Sequence, residues 1–283
     1  MPLTAKRLLS KTILAKIYAN DKCARAYYSP LPVIPHGPSE FSEWAKTHRP
    51  NLPEYVKGLI HYEYAVEKDA QKISDFILEN IIPSSPLFEC LGSNPKELLE
   101  LYEPIIERTL KDHCSLLGFK GDELIAVSLN SIKTMPPSSD EAPTNVDILE
   151  AKDYGPMIDS ANFKTRAAKK VHVFVELLHS KVEKLLPNSK KLMFIEIGGV
   201  SKSYRGRGIS QEMVKHTMRL AHDQFHCDNV VTIADSKAAQ KMFEQKLGYK
   251  LLRELKLDYF LDGNVPVFNC DEIASGKLLS KKI

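Results

Sequence analysis

The sequence predicts an α/β protein, and three observations carry that prediction. Stretches with the two-residue alternation of strands interleave with stretches of helical spacing along most of the chain. Residues 115–119 and 123–132 read as two strands joined through Lys120-Gly121-Asp122, a hairpin signal. Residues 194–210 read as a buried strand, then a glycine-broken basic turn, then the start of a helix.

The totals set the limits. The chain has 283 residues, 43% hydrophobic and 27% charged, an ordinary globular composition for one large or two small domains. A net charge of +3, from 39 basic and 36 acidic residues, is too small to imply a nucleic-acid partner. Cys23, Cys90, Cys114, Cys227 and Cys270 are scattered, odd in number and lack metal-ligand spacing. They argue against a disulfide framework and for a reducing, intracellular compartment. No apolar run approaches the roughly 20 residues that a membrane span needs.

Residues 1–57 form a basic extension and linker ahead of a domain expected over 58–283. Residues 1–28 carry Lys6, Arg7, Lys11, Lys16, Lys22 and Arg25 against the single acid Asp21. Leu9, Ile13 and Ile17 fall on one helical face, with Arg7 and Lys11 opposite and Lys6 spoiling the pattern. This is the composition of a mitochondrial presequence, and Arg25-Ala26-Tyr27-Tyr28 resembles a matrix-protease cleavage pattern. The expectation is removal of residues 1–27 and a matrix location; a retained basic helix on a cytoplasmic protein is the alternative. Mass spectrometry of the endogenous protein decides: an intact N terminus at Met1 or Pro2 removes the mitochondrial reading. Six prolines between Pro30 and Pro53 then read as an extended linker, with Trp44 in a short helical patch that pins it.

Within the domain, 60–66 alternates as a strand and 67–80 is helical, with Ala70, Ile73, Phe76 and Ile77 in phase. Pro83 and Pro86 break the chain before a helix over 95–114, which Pro104 should kink. Residues 135–156 are acidic and proline-rich, hence a loop. Residues 171–186 are helical, and the helix opening near Gly208 should reach His226. A buried strand over 230–234 precedes a helix over 236–247 that Gly248 caps. Strands over 249–260 and 265–268, joined at Asp262-Gly263-Asn264, close the chain.

The stretch 194–210 holds the chemistry. Gly206 and Gly208 permit a turn whose N–H groups share one concavity, and the following helix adds its unpaired N-terminal donors. Lys202, Arg205 and Arg207 bring positive charge to the same spot. This is a cradle for phosphate. Ile209 after Gly208 excludes a Walker loop, and Gln211 stands where a dinucleotide fingerprint needs a third glycine.

Arg205-Gly206-Arg207-Gly208-Ile209-Ser210 resembles the pyrophosphate loop of the Gcn5-related N-acetyltransferases, Arg/Gln-x-x-Gly-x-Gly/Ala, with serine at the last position. Residues 239–249 resemble that family's helix ending in Leu-Gly-Phe/Tyr, with one residue inserted near Gln245. Ser85-Pro86-Leu87, Leu116-Leu117-Gly118-Phe119 and Ile125-Ala126-Val127-Ser128-Leu129-Asn130 narrow the likeness to insect and nematode arylalkylamine N-acetyltransferase-like proteins. It covers about 58–283.

The resemblance implies a mixed, mostly antiparallel twisted sheet flanked by helices, with acetyl-CoA as co-substrate. It implies a cofactor site at Gly198, Gly199, Val200, Arg205, Gly206, Arg207, Gly208, Ile209 and Ser210. Gly198 to Val200 would form the end of a strand splayed from its neighbour, including the oxyanion donor, the paired glycines allowing close approach of the ligand. The acceptor would be a small primary amine, and a monomer or weak homodimer is expected. The insect enzymes carry a glutamate where this chain has Ser85, so Glu196 becomes the expected general base. Simple alternation puts Glu196, Gly198 and Val200 on one face of the strand. The ordinary alternative for Glu196 is a buried carboxylate paired with lysine or arginine; Glu79 and Glu89 are weaker candidates. Phe243 and Ala239 replace the tyrosine and serine that relatives use near the thiolate, and Ser236 reads as a helix cap. His172, His179, His216, His222 and His226 read as surface or packing residues. Besides a small-amine acetyltransferase, a silent CoA-binding relative and a lysine acetyltransferase of proteins remain open.

Overall fold

A hairpin opens the main sheet of the computed structural model, which describes residues 60–136, 143–269 and 271–283. The presequence-like segment, the proline-rich linker and Trp44 lie outside the described residues. Strand β1 (Ile60–Tyr64) runs antiparallel to β2 (Leu116–Lys120), which turns through Gly121 into β3 (Glu123–Thr134). The turn needs a left-handed residue, and Gly121 supplies it at φ 60°. β3 pairs antiparallel with β6 (Lys191–Val200), and β6 runs parallel to β7 (Asn229–Ala234).

β11 (Ser275–Lys282) fills the place beside β7, followed by β8 (Lys250–Lys256) and β4 (Asp147–Ile148). In this eight-stranded sheet only the β6–β7 and β4–β8 pairs are parallel. β5 (Lys152–Asp153), β9 (Phe260–Asp262) and β10 (Val265–Pro266) make a second, small sheet. The mixed, mostly antiparallel architecture is thus as expected.

Several boundaries differ from the sequence reading. β11 was not expected, because Ser-Gly-Lys-Leu-Leu-Ser-Lys-Lys lacks β-branched residues and reads as a polar tail. Its place between β7 and β8 buries Gly276, Leu278, Leu279 and Ser280 all the same. Gly276 is required there: a Cβ would lie 2.7 Å from the ring of fully buried Phe174. The expected loop over 135–156 contributes β4 and β5. The expected strand over 249–260 ends at Lys256, and β9 begins separately at Phe260. The helix expected over 171–186 starts earlier and divides, into Arg166–His179 and Val182–Leu185, with Lys181 between them at φ 52°.

Helices cover both faces. Numbered in chain order, α1 is Ala70–Phe76, continued by a π-turn over Ile77–Ile81; α2 is Pro86–Leu91; α3 is Pro95–Lys111, with Pro104 inside it. After the short α4 (Gly155–Ser160) come α5 (Arg166–His179) and α6 (Val182–Leu185). Asn94 caps α3 by accepting from the Lys96 N–H, and Thr165 caps α5 by accepting from Ala168. Ile73, Leu98 and Phe174 from these helices pack with Val127 and Ile197 of the sheet. On the opposite face α7 (Ile209–Asp223) lays Met213, Val214 and Leu220 against Met193 and Ile195. The two layers leave the open end of the β6–β7 pair between them.

Cys114 and Cys227 are free and buried, but Cys90 is disulfide-bonded. That corrects the expectation of unpaired cysteines, since scattered spacing in sequence says nothing about which thiols meet in space. Among the described residues no helix is long and apolar enough to cross a membrane.

Candidate active site

The site grows out of a fork between two strands. β6 and β7 pair only from Leu192–Asn229 to Ile195–Thr232. Beyond Ile195, β6 keeps its antiparallel partner β3 as far as Val200–Ala126 but has no bond to β7. Gly198, Gly199 and Val200 therefore lie on an arm whose β7 side is open, as the splayed-strand expectation required. Thr232 sits at the apex, its Oγ1 donating to the Ile195 carbonyl at 3.1 Å.

The arm ends at the basic loop. Gly206 and Gly208 have φ of 75° and 80°, and a Cβ on either would meet nothing within 4 Å. Gly208 caps α7 without any side-chain acceptor, so the first-turn N–H groups at Ile209 and Ser210 face that open space. This concavity, lined by donors and open beside both glycines, fits a pyrophosphate. The arginines are partly engaged. Arg205 donates to the Val200 carbonyl at 3.1 Å and the Asn80 carbonyl at 3.0 Å, bracing the loop. Arg207 lies 5.1 Å from the Tyr204 ring centre and donates to the Ser203 carbonyl.

A cavity of about 1590 Å³ joins the fork to the cradle and extends over the α1–α3 side. Ser85, Tyr102, Arg108, Glu196, Asp235 and Phe243 line it, with the glycines of the arm and loop. Glu196 is held by two partners: Arg108 at 2.9 Å, and the Ser131 hydroxyl, which donates at 2.5 Å. Its side chain is 11% exposed, against 56% for Arg108. The cation pairing of the ordinary alternative is therefore present, alongside a position in the cavity wall.

The expectation that Glu196, Gly198 and Val200 share a face is corrected. The register with β3 shifts between Leu129–Ile197 and Asn130–Ile195, leaving Glu196 as the extra residue of a β-bulge. The bulge turns Glu196 toward α3, while Val200 packs with the α7 layer. The paired glycines also divide their roles. A Cβ on Gly199 would come within 2.9 Å of Ile81, so the close approach there is by the protein itself. One on Gly198 would meet only Ile195, at 3.7 Å.

The other candidates fall as follows. Ser236 is a helix cap, accepting from the Ala239 N–H at 3.2 Å. The residue inserted near Gln245 is absorbed by a π-turn, Met242–Lys246, which continues the helix Lys237–Lys241. Glu79 and Glu89 are not among the cavity residues, whereas His172 and His179 are. Burial pulls His179 below the usual histidine range, opposed by the charge of Glu196. Sequence reasoning missed Arg108, Ser131, Thr232, Tyr102 and Asp235, which carry no local motif.

Residues 178–249, from the end of α5 to just before β8, match the acetyltransferase (GNAT) family. That segment holds the β6–β7 fork, the basic loop and α7. Arylalkylamine N-acetyltransferase 2 from Aedes aegypti superposes with a TM-score of 0.60 at 20% identity, covering 79% of this chain and 99% of that one. Mosquito arylalkylamine N-acetyltransferase like 5b gives 0.58 at 16% identity, covering 79% and 100%. The polyamine N-acetyltransferase of Drosophila melanogaster gives 0.56 at 14% identity, again covering 79% and 100%. At such identities the likeness establishes the fold. No curated protein sequence gives a significant match.

Proposed function

We propose that this protein is an acetyl-CoA-dependent N-acetyltransferase whose acceptor is a small primary amine. The observation that carries the reading is the fork: an arm of β6 free of β7, leading directly into a glycine cradle at a helix N-terminus. The cradle, from Arg205 to Ser210, would hold the pyrophosphate, and Gly198, Gly199 and Val200 would hold the pantetheine arm and the carbonyl oxygen. Acetyl-CoA, when bound, supplies the activated acyl group. The chain's own part is to orient both substrates, exclude water and remove a proton from the acceptor.

Glu196 is the proposed proton acceptor. Arg108 and Ser131 both bond its Oε1, which leaves Oε2 to take the proton, directly or through a water. An amine of pKa about 10 is almost wholly protonated at neutral pH, which makes this step necessary. Solved structures similar to this chain include enzymes named for arylalkylamines and polyamines, and Phe88 and Tyr102 give the cavity an aromatic wall. An arylalkylamine acceptor is the finer proposal. A mitochondrial matrix location is proposed on the N-terminal composition alone.

Isothermal titration with acetyl-CoA tests the cradle, and amine-dependent release of free CoA tests the transfer. Binding without release for any amine would favour a silent relative, for which Ala239 and buried Phe243 speak. Release with lysine peptides alone would favour a protein acetyltransferase.

A further inference from the structure

The cavity has several carboxylates, and one differs from the rest. Glu196 is paired with Arg108, Asp112 accepts from the Ile132 N–H at 2.9 Å, and Glu183 faces Lys133 at 3.9 Å. Glu176 and Glu272 are exposed. Asp235 is half-buried and makes no ion pair among the described residues. Its one hydrogen bond from another side chain comes from the Ser85 hydroxyl at 3.5 Å, the outer limit for such a bond.

We propose that Asp235 is the counter-ion of the acceptor, the carboxylate on which the protonated primary amine docks. This rests on the acetyltransferase reading and deepens it by naming the residue that selects a cationic acceptor.

The local structure fixes Asp235 firmly. It follows the last residue of β7, Ala234, which pairs with Lys277 of β11. The Gln240 side-chain amide donates to the Ala234 carbonyl at 3.3 Å and the Ser275 carbonyl at 2.8 Å, tying both strand ends together. Ser236 then starts the next helix. The carboxylate is thus presented from a corner beside the fork, next to the Ser85 hydroxyl in the cavity wall.

The electrostatics favour an arriving cation. Burial raises Asp235 above its ordinary value, and only its own backbone N–H and Ser85 oppose that. Nearby Tyr102 is raised first by its burial and then by the charge of Asp235. Ser85 and Tyr102 are neutral, and among the described residues no cation pairs with the carboxylate. An ammonium group docked there would be compensated and would offset the burial penalty. A neutral isostere of the same shape would not, so charge at this point discriminates between acceptors.

The test is direct binding, with and without CoA, on the full chain. The probes are phenethylamine, tyramine, agmatine and spermidine, with 2-phenylethanol as the neutral control. At least one amine should bind, and Asp235→Asn should weaken it about ten-fold (about 1.4 kcal/mol). Asp235→Glu should recover part of the loss; the alcohol, CoA affinity and melting temperature should hardly change. In turnover, Asp235→Asn should raise KM for the amine more than it lowers kcat. The proposal is overturned if no amine binds, or if amine and alcohol bind the wild type equally. It is equally overturned if Asp235→Asn keeps full amine affinity, with or without a lower melting temperature. Loss of CoA binding with amine binding intact would instead sink the acetyltransferase reading and leave the ammonium site standing.

Discussion

Replacing Glu196 by glutamine should lower kcat/KM for the acceptor amine about 10²–10⁴-fold, the usual range for loss of a general base. Acetyl-CoA affinity should barely change, because the cradle is a separate part of the cavity. Glutamine keeps the size of the side chain and can still accept from Arg108 and Ser131, so the bulge should survive. What it loses is the ability to take a proton. The loss should sit mainly in kcat, in contrast to Asp235→Asn, whose loss should sit mainly in KM. Part of the rate should return at high pH, where the free amine is already present. A carboxylate needed only to pair with Arg108 predicts another outcome: a lower melting temperature, with the folded fraction fully active. Full activity and an unchanged pH profile in Glu196→Gln would remove the base assignment.

The fold was legible wherever local signals decide structure. Gly121 in its hairpin, Ser236 as a cap and Gly248 at φ 69° are all set by neighbours close in sequence. The C-terminal strand was not legible, because its burial comes from two partners rather than from its own residues. Ser280 and Gly276 are poor strand formers that become central once β7 and β8 lie on either side. The π-turn at Met242–Lys246 lies between these cases: an extra residue could be seen in sequence, but how the helix absorbs it could not.

The glycine turn at the start of α7 was legible for the same local reason, while the rest of the candidate site was not. A strand, two glycines at fixed spacing and a helix start are contiguous in sequence. The bulge at Glu196 depends on the register between β6 and β3, which alternation along one strand cannot reveal. Asp235 and Ser85 are separated by 150 residues, and only the tertiary fold brings them together. Arg108 reaches Glu196 across 88 residues. Side chains that give a cavity its charge pattern thus come from the whole domain, and the anion loop comes from one segment.

That contiguity makes the cradle separable by mutation. Gly208→Val should weaken acetyl-CoA binding ten-fold or more, about 1.4 kcal/mol or above. Two effects add. Position 208 is at φ 80°, a left-handed conformation that costs an L-residue about 1–2 kcal/mol, so the turn will shift. Any branched side chain that does keep the turn fills the open concavity that the phosphates would need. Since a Cβ there meets no protein atom within 4 Å, the damage should fall on the ligand and leave the packing of α7 intact. Arg207→Glu should act independently through charge. It ends the stacking on Tyr204 and places a carboxylate beside the phosphates, with an effect that lessens as salt is raised. Arg205→Ala is the contrasting variant. Its guanidinium braces Val200 and Asn80, so its loss should lower the melting temperature as well as affinity. Titration calorimetry with acetyl-CoA, read beside thermal melts, separates the three. Unchanged affinity in either Gly208→Val or Arg207→Glu would mean that the cofactor binds elsewhere.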